Sequence, residues 1–301
     1  MELVFLGTGS MVPTKERNVT AHLLEYRGEY LLIDCGEGTQ RQMNLAGYPR
    51  TKIRKILITH WHGDHVAGLV GLIQTLSSVP EPQKTIIYGP IGTKRYMEHV
   101  LGSCSFDLRV PLEIIEISVP KKGTVEFFRD EHYALEAAAM DHGIPCLAYS
   151  FIELDTRRIV LEKAKELGLA EGPLMGRVQR GETVEINGKR VTPEDVSYVK
   201  RGKKITFILD TALNENCIPL ARLADILVCE STYKEELQEK SEDHKHLTTK
   251  DACQIATQAD VERLIITHFS QRYKTTHEMV DEARTYFPNV DAAFDFMKVK
   301  L

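Results

Sequence analysis

The sequence predicts a layered α/β protein, and two observations lead to this prediction. Short apolar runs of strand length alternate along the chain with stretches that have helical spacing. Potential metal ligands directly follow several of these apolar runs, at the carboxyl ends of predicted strands, where α/β proteins hold their functional sites. The chain has 301 residues, of which 43% are hydrophobic and 27% charged, so it has ample material for a large core.

In the first half of the chain, strand-like runs are separated by short turns and helical stretches. A Gly-rich turn at Asp34–Gly38 follows the third strand, and Gly89-Pro90 precedes a helix. Residues 112–153 alternate between apolar and polar as strands do. The predicted elements are strands at Leu3–Leu6, Ala21–Tyr26, Tyr30–Ile33, Ile56–Ile58, Thr85–Tyr88, Leu112–Ile117, Thr124–Phe128, Tyr133–Ala139 and Leu147–Ile152, and helices at Thr39–Ala46 and Val66–Leu76.

The pattern changes between residues 155 and 203. A helix-like piece at Ile159–Leu167 gives way to sequence rich in Gly, Pro and charge, with turn signals at Glu171–Pro173 and Asn187-Gly188. We therefore expect an excursion from the core of one domain that spans residues 1–301. The elements predicted after it are strands at Ile205–Leu209, Ile226–Cys229 and Leu264–Thr267, and helices at 233–242, from Thr248 onward and at 276–286.

The excursion is basic, whereas the whole chain is acidic. Residues 155–204 contain 12 Lys and Arg against 8 Asp and Glu, a net charge of +4, while the whole chain carries −5. Such a segment suits contact with phosphates, although a solvated charged excursion would have the same composition. The six cysteines are scattered without a Cys-x-x-Cys pair, which indicates buried thiols in a reducing cytoplasm. We expect no membrane span, because no apolar run approaches about 20 residues. We expect no signal peptide, because the amino terminus lacks a basic region and a cleavage site.

The most informative segment follows the predicted strand at Ile56–Ile58 and has the sequence His60-Trp61-His62-Gly63-Asp64-His65. His60 and His62 are two residues apart, so in extended backbone they project to one side and can bind one ion. Gly63 would supply the turn that brings Asp64 and His65 inward. Two pairs of ligands on one loop predict two neighbouring metal ions, and a solvated His-rich loop is the alternative.

Two ions need ligands from other strands as well. His142 lies in a turn after a strand-like run, and Asp210 and His268 each directly follow an apolar run. Any one of these would be unremarkable, since an Asp at a strand end more often caps a helix. Together they predict a shared metal site. Four other histidines are expected to be on the surface or hydrogen-bonded in the core: His22, His99, His132 and His277.

Several blocks of sequence make nearly the whole chain similar to the metallo-β-lactamase superfamily and, within it, to the ribonuclease Z family. The His-rich loop specifies only the superfamily, whereas the amino-terminal blocks and the last block specify the family. The blocks are Phe5–Ser10, Pro13–Asn18, Ile33–Gln40, Asp141–Gly143, Asp210-Thr211 and Thr267–Tyr273.

This resemblance implies a four-layer αβ/βα sandwich of the metallo-β-lactamase fold with an inserted flexible arm at residues 155–203. It implies two Zn²⁺ ions per chain, with Mn²⁺ or another divalent ion as the alternative. One ion would be bound by His60, His62 and His142, the other by Asp64, His65 and His268, and Asp210 would bridge them. A hydroxide between the ions would be the nucleophile, and Asp64 would orient it or take its proton.

The resemblance also implies an activity, the removal of the 3′ trailer from precursor transfer RNA with a 3′ hydroxyl left behind. A Glu230–His246 pair would stabilise the developing charge or protonate the leaving oxygen, and a surface ion pair is the alternative. The arm would hold the RNA across a homodimer. Weakly assigned RNA contacts are Lys15, Arg17, Gly172, Pro173, Arg177, Arg180 and Arg272; for Arg272 a structural salt bridge is the alternative.

Two other functional classes compete with this one. A hydrolase of the same fold could act on a small phosphodiester, an aryl sulfate or a thioester, but such an enzyme would not need a basic insertion of this length. A non-catalytic RNA-binding relative would not need the full set of metal ligands or the Glu230–His246 pair.

Overall fold

The computed structural model describes all 301 residues, which form two compact units. The larger unit comprises residues 1–128, 135–151 and 204–301, and the smaller unit comprises residues 129–134 and 152–203. None of the helices combines the length and the apolar character that crossing a membrane requires.

Eighteen strands and eleven α-helices make up the chain. The strands are β1 (Glu2–Gly7), β2 (Ala21–Tyr26), β3 (Glu29–Ile33), β4 (Ile53–Leu57), β5 (Thr85–Pro90), β6 (Leu112–Ile117), β7 (Thr124–Arg129), β8 (Tyr133–Asp141), β9 (Pro145–Glu153), β10 (Thr156–Ile159), β11 (Val184–Ile186), β12 (Lys189–Val191), β13 (Ser197–Lys200), β14 (Lys204–Ile208), β15 (Ile226–Glu230), β16 (Arg263–Thr267), β17 (Val290–Ala292) and β18 (Lys298–Lys300). The helices are α1 (Thr39–Ala46), α2 (Gly63–Val66), α3 (Leu69–Ser77), α4 (Thr93–Gly102), α5 (Leu161–Glu166), α6 (Pro173–Gln179), α7 (Pro193–Val196), α8 (Cys217–Ala221), α9 (Gln238–Asp243), α10 (Thr249–Gln258) and α11 (His277–Tyr286). Short 3₁₀ turns lie at Arg50–Lys52 and Glu235–Leu237.

Two seven-stranded sheets carry the larger unit. The strand order is β18-β1-β2-β3-β4-β5-β6 in the first sheet and β17-β16-β15-β14-β9-β8-β7 in the second. Strands β3 to β6 are parallel to one another, and so are β14 to β17. The carboxyl ends of parallel strands share one edge of a sheet, so the loops after β3 and β4, and those after β14, β15 and β16, are neighbours.

Each sheet has helices on one face and the other sheet on its opposite face. Helices α1, α3 and α4 cover one apolar core with the first sheet, and α8, α10 and α11 cover another with the second. Between the sheets, the Tyr149 hydroxyl donates a hydrogen bond to the Ile58 carbonyl at 2.6 Å. The predicted four-layer αβ/βα sandwich is confirmed.

His22 also lies between the sheets, which corrects the expectation that it is exposed or hydrogen-bonded. Its ring is fully buried, and neither ring nitrogen has a hydrogen-bond partner. Phe5 packs edge-on against it with ring centroids 5.0 Å apart, and Phe207 of the second sheet lies at 6.2 Å. Burial lowers the pKa of His22 to about 3, so the ring fills this space in its neutral form.

The helix predicted at Val66–Leu76 is two helices, α2 and α3, with a break at Ala67 and Gly68. A Cβ atom on Gly68 would lie 2.2 Å from the Gly36 carbonyl oxygen, so only glycine permits this approach. The Gly68 amide donates to the Cys35 carbonyl at 2.9 Å, and the Cys35 amide donates to the His65 carbonyl at 2.7 Å. These bonds tie the turn after β3 to the segment that follows β4.

The smaller unit has a hydrophobic core of its own, which its charged composition did not predict. The core residues are Ala164, Leu169, Val178, Val184, Ile186, Val191 and Val196. Strand β10 pairs with β13, and β11 pairs with β12. The predicted helix at Ile159–Leu167 therefore begins only at Leu161, because the residues before it form β10.

Candidate metal and catalytic site

The structure brings together all seven side chains that the sequence predicts as metal ligands. The segment after β4 contributes four, and the other three follow β8, β14 and β16. They form two groups, in each of which the potential ligand atoms lie within 4.8 Å of one another: His60, His62, His142 and Asp210 in the first, and Asp64, His65 and His268 in the second. A cavity of about 1120 Å³ opens onto both groups.

In the first group three imidazole nitrogens converge. His62 Nδ1 lies 3.0 Å from His60 Nε2 and 3.1 Å from His142 Nε2. The outer nitrogens of two rings are already used, because His142 Nδ1 donates to the Lys245 carbonyl at 2.9 Å and His60 Nδ1 lies 3.1 Å from the Thr59 hydroxyl. The inner nitrogens of His60 and His142 therefore present their lone pairs to the space beside His62 Nδ1, where a cation would stabilise them.

The second group has the same character. His65 Nδ1 donates to Asp34 Oδ2 at 2.6 Å, so its Nε2 atom faces His268 Nε2 at 3.3 Å. Asp64 Oδ2 lies 3.6 Å from both of these Nε2 atoms. The Met11 backbone amide donates to the same Asp64 oxygen at 2.7 Å, which fixes the orientation of the carboxylate.

Asp210 connects the two groups. Its Oδ2 atom lies 3.5 Å from His142 Nε2, and its Oδ1 atom lies 3.1 Å from His268 Nε2. Asp210 is 2% exposed, and Oδ1 has no hydrogen-bond partner. Although burial opposes its charge, positive charge on His268 and His65 holds the pKa of Asp210 well below its usual range, and a bound cation would supply positive charge at the same place. A buried, ionised and unpartnered oxygen between two sets of imidazole nitrogens fits a metal-bridging carboxylate.

The sequence did not predict Asp34 and Thr59 as part of this site, and the prediction for Gly63 was wrong. Asp34 and Thr59, both fully buried, orient the ligands from behind: Thr59 Oγ1 donates to Asp34 Oδ2 at 2.7 Å, and the Thr59 amide donates to Asp34 Oδ1 at 2.8 Å. Asp34 directly follows β3, a strand-end position that could have signalled it. Gly63, by contrast, is the first residue of α2 and has room for a Cβ atom, so the turn does not require glycine there.

Glu230 and His246 form a buried pair beside the metal groups. His246 Nδ1 lies 3.0 Å from Glu230 Oε1, which also accepts the Thr211 amide at 2.7 Å. Glu230 is completely buried, so the pair is not a surface ion pair. Burial opposes the charged imidazolium, but the Glu230 carboxylate outweighs it and raises the pKa of His246 to about 9. His246 also lines the cavity and can present a proton there.

The residues predicted to contact RNA near the cavity differ in accessibility. Lys15 is exposed, whereas Arg17 is 8% exposed and its guanidinium lies 5.4 Å from the centre of the Phe269 ring. Arg272 is exposed at the cavity, where its guanidinium lies 5.3 Å from the centre of the Tyr233 ring. It packs on an aromatic ring and takes part in no salt bridge.

The remaining predicted RNA contacts lie in the smaller unit and are exposed. Gly172, with φ of 150°, caps the start of α6, and Pro173 is in the first turn of that helix. Arg177 and Arg180 both pair with Glu182, at 2.7 and 3.4 Å. Glu182 therefore offsets part of their charge.

The layered fold, the His-x-His-x-Asp-His segment and the ligands at strand ends define a protein of the metallo-β-lactamase fold. A family model described as "Anti-Pycsar protein Apyc1" matches residues 1–104. Ribonuclease Z of Bacillus cereus (strain AH187) and that of Bacillus thuringiensis (strain Al Hakam) are each 41% identical over 303 residues, which covers 98% of this chain and 97% of the relative. The chain belongs to the ribonuclease Z family, a family of hydrolytic endoribonucleases.

Solved structures show the same fold. The crystal structure of human tRNase Z, short form, matches with a TM-score of 0.73 and 27% sequence identity. The match covers 100% of this chain and 99% of the human chain. A long-form RNase Z from yeast has a TM-score of 0.69 and 18% identity, and the match covers 99% of this chain and 41% of the yeast chain. The latter likeness shows the fold alone.

Proposed function

We propose that this protein removes the 3′ trailer from precursor transfer RNA by hydrolysing one phosphodiester and leaving a 3′ hydroxyl on the transfer RNA. One observation carries the proposal: two groups of metal-ligand side chains and the Glu230–His246 pair border one cavity in a chain of the ribonuclease Z family. A phosphodiester in this cavity would have both an acid and a metal centre beside it.

We infer that the site holds two divalent ions, with zinc preferred because imidazole nitrogens outnumber carboxylates, and Mn²⁺ or another divalent ion as the alternative. When bound, two such ions would polarise the phosphate and lower the pKa of a water molecule. The first would be held by His60, His62 and His142, the second by Asp64, His65 and His268, and both by Asp210. The unpartnered Oδ1 atom of Asp210 supports this assignment.

The protein's own side chains would complete the chemistry. Asp64, oriented by the Met11 amide, would take the proton of the attacking water. His246 in its charged form would donate a proton to the leaving 3′ oxygen, and Glu230 would hold the ring in position and keep it charged. The ribose oxygen of RNA is a poor leaving group, so this proton matters more for RNA than for an aryl ester.

The test uses a labelled precursor transfer RNA whose product ends are mapped, with a nitrophenyl phosphodiester as the second substrate. His246→Ala should reduce turnover of the RNA by roughly 10²–10⁴-fold, the usual scale for an acid group, and reduce turnover of the ester much less. Metal content should stay unchanged. His244→Ala is a matched control, because His244 lines the same cavity but is exposed and not paired with Glu230.

Equal losses on both substrates would contradict the role of His246 as an acid. Hydrolysis of the ester without any cleavage of precursor transfer RNA would favour a hydrolase of small esters instead. Binding of RNA without cleavage of either substrate would favour a non-catalytic relative.

We further infer that residues 155–203 form an arm that holds the body of the transfer RNA across a homodimer. The net positive charge of this segment supports contact with phosphates, which would fix the position of a folded RNA without reading its sequence. Deletion of residues 160–200 removes none of the proposed metal ligands. It should leave ester hydrolysis intact while RNA binding and its dependence on salt decline.

Mixed dimers test whether the arm acts on the partner's substrate. Subunits without the arm are combined with full-length subunits that carry Asp64→Ala, so that neither homodimer processes RNA. The mixed dimer pairs an intact site with the arm of the opposite subunit, and activity should return. If subunit exchange is demonstrated and no activity returns, the arm does not act across the dimer.

All six cysteines are free and five are buried, which supports an assignment to the reducing cytoplasm.

A further inference from the structure

Thr232 lies between the proposed metal ligands and the Glu230–His246 pair. The residue is 2% exposed and lies two positions after the end of β15. Its hydroxyl oxygen lies 2.6 Å from Glu230 Oε2 and 2.9 Å from His268 Nδ1. The direction of both hydrogen bonds follows from chemistry, because a carboxylate only accepts and the hydroxyl has a single proton. Thr232 therefore donates to Glu230 and accepts from His268 Nδ1–H.

A competing acceptor does not change this assignment. The His268 carbonyl oxygen lies 3.1 Å from the Thr232 hydroxyl, farther than the carboxylate. Hydrogen bonds to a charged acceptor are shorter and stronger than those to a neutral carbonyl, so the proton points to Glu230. With its Nδ1 proton held by Thr232, His268 has a bare Nε2 atom, which faces Asp210 Oδ1 at 3.1 Å.

The first sheet contains the same arrangement with one difference. Thr59 donates to Asp34 and accepts from His60 Nδ1–H, as Thr232 does for Glu230 and His268. The Asp34 carboxylate holds a second proposed metal ligand, His65. The Glu230 carboxylate instead holds His246, which faces the cavity and belongs to neither of the two predicted ligand groups.

We propose that Thr232 is a positioning residue that couples the metal ligand His268 to the proton donor His246 through Glu230. Loss of its hydroxyl would leave His268 Nδ1–H without its acceptor and Glu230 Oε2 without its shortest hydrogen bond, both in a buried environment. Loss of the hydroxyl would therefore weaken the binding of the ion at His268 and, at the same time, misalign the proton donor His246. Loss of the Thr59 hydroxyl would affect only metal ligands. This inference rests on the proposed function for its acid step, but not for its effect on metal binding.

The test compares Thr232→Val, which keeps the shape and removes the hydroxyl, with Thr232→Ser, which keeps the hydroxyl, and with Thr59→Val. Apoprotein is titrated with Zn²⁺ against a chelating indicator, and thermal unfolding checks that each variant is folded. Thr232→Val should weaken one of the two ions by about 10–100-fold, the scale for partners of metal-bound histidines, and Thr232→Ser should restore it. If Thr232→Val does not fold, Thr232→Ala replaces it.

Turnover at saturating metal separates coupling from a purely structural effect. Thr232→Val should reduce turnover of precursor transfer RNA by at least about 10-fold more than turnover of a nitrophenyl phosphodiester, a part of the full acid effect. Thr59→Val should weaken metal binding without changing the ratio between the two substrates. An unchanged ratio in Thr232→Val, or unchanged metal affinity, would overturn the coupling.

Failure of the proposed function would be recognised separately. In that case the wild-type protein would cleave no precursor transfer RNA at all. The metal titration of the apoprotein would still decide whether Thr232 supports His268, because that measurement needs no RNA. A series of aryl phosphodiesters with progressively poorer leaving groups would then replace the RNA in the comparison.

Discussion

Replacement of Asp34 by Asn tests whether this buried carboxylate sets the orientation of the proposed metal ligands. All three of its hydrogen-bond partners are donors, namely the His65 ring and the amide and hydroxyl of Thr59. Asn has nearly the same shape and tolerates the left-handed backbone that Asp34 adopts, with φ of 58°. It offers only one acceptor oxygen, however, so its amide group must face a donor in either orientation.

The two orientations of the Asn side chain have different costs. If its oxygen replaces Oδ2, its NH₂ group faces the Thr59 amide and a buried donor loses its partner, at a cost of about 1–3 kcal/mol. If its oxygen replaces Oδ1, the NH₂ group faces His65 Nδ1, and the ring must carry its proton on Nε2. That proton would point at the metal. In the first orientation the negative charge behind His65 is lost. In the second, His65 Nε2 loses the lone pair that would bind the ion. In both orientations metal affinity should therefore fall by about 10–100-fold.

Two measurements check this prediction. Urea unfolding of the apoprotein gives the loss of stability, and titration with Zn²⁺ against a competing chelator gives the loss of affinity. Asp251→Asn is a matched control, because Asp251 is also a buried carboxylate that accepts from the amide and hydroxyl of one threonine, Thr248, at 2.9 and 2.7 Å. The Asp251→Asn substitution should lower stability and leave metal affinity unchanged. Wild-type metal affinity in Asp34→Asn would refute the reasoning.

Three further predictions concern the same site. Elemental analysis should give close to two ions per chain. Asp210→Ala should cause the largest loss of metal among the ligand variants, since Asp210 faces both groups. Full activity with one ion would contradict the bridging role. Burial lowers the pKa of His246 but Glu230 raises it to about 9, so Glu230→Gln should move the alkaline decline of kcat to lower pH, and an unmoved decline would remove Glu230 from this role. A Cβ atom on Gly36 would lie 2.3 Å from the Asp64 carbonyl oxygen, so Gly36→Ala should destabilise the fold by about 1–3 kcal/mol in urea unfolding, whereas Gly63→Ala, with open space, should not.

The convergence of the proposed metal ligands could be predicted because their signal is local. A His or Asp at the end of an apolar run is visible in the sequence, and parallel strands then bring such positions to one edge. The partners of these ligands could not be predicted in the same way. Asp34, Thr59 and Thr232 are residue types that commonly end strands, and only the packing of distant segments decides what their oxygens touch.

The wrong predictions about the fold have the same origin. The break between α2 and α3 arises from the approach of Gly68 to Gly36, a contact between two loops that no helical periodicity reports. His22 was misjudged because a histidine without partners is rare in a core, and only its position between two sheets reveals it. The core of the smaller unit escaped notice because its apolar residues are scattered among charged ones.

The division of the ligands between the two sheets has a consequence for biosynthesis. Each proposed metal position takes side chains from the segment after β4 and from loops of the second sheet, so neither sheet alone offers a complete set. His65 and His268 are 203 positions apart, and both must be in place before the second group exists. A chain emerging from the ribosome could therefore not acquire the two proposed ions early. Their loading would be a late event, after the two sheets have folded against each other, and bound metal would then stabilise the finished protein by mass action.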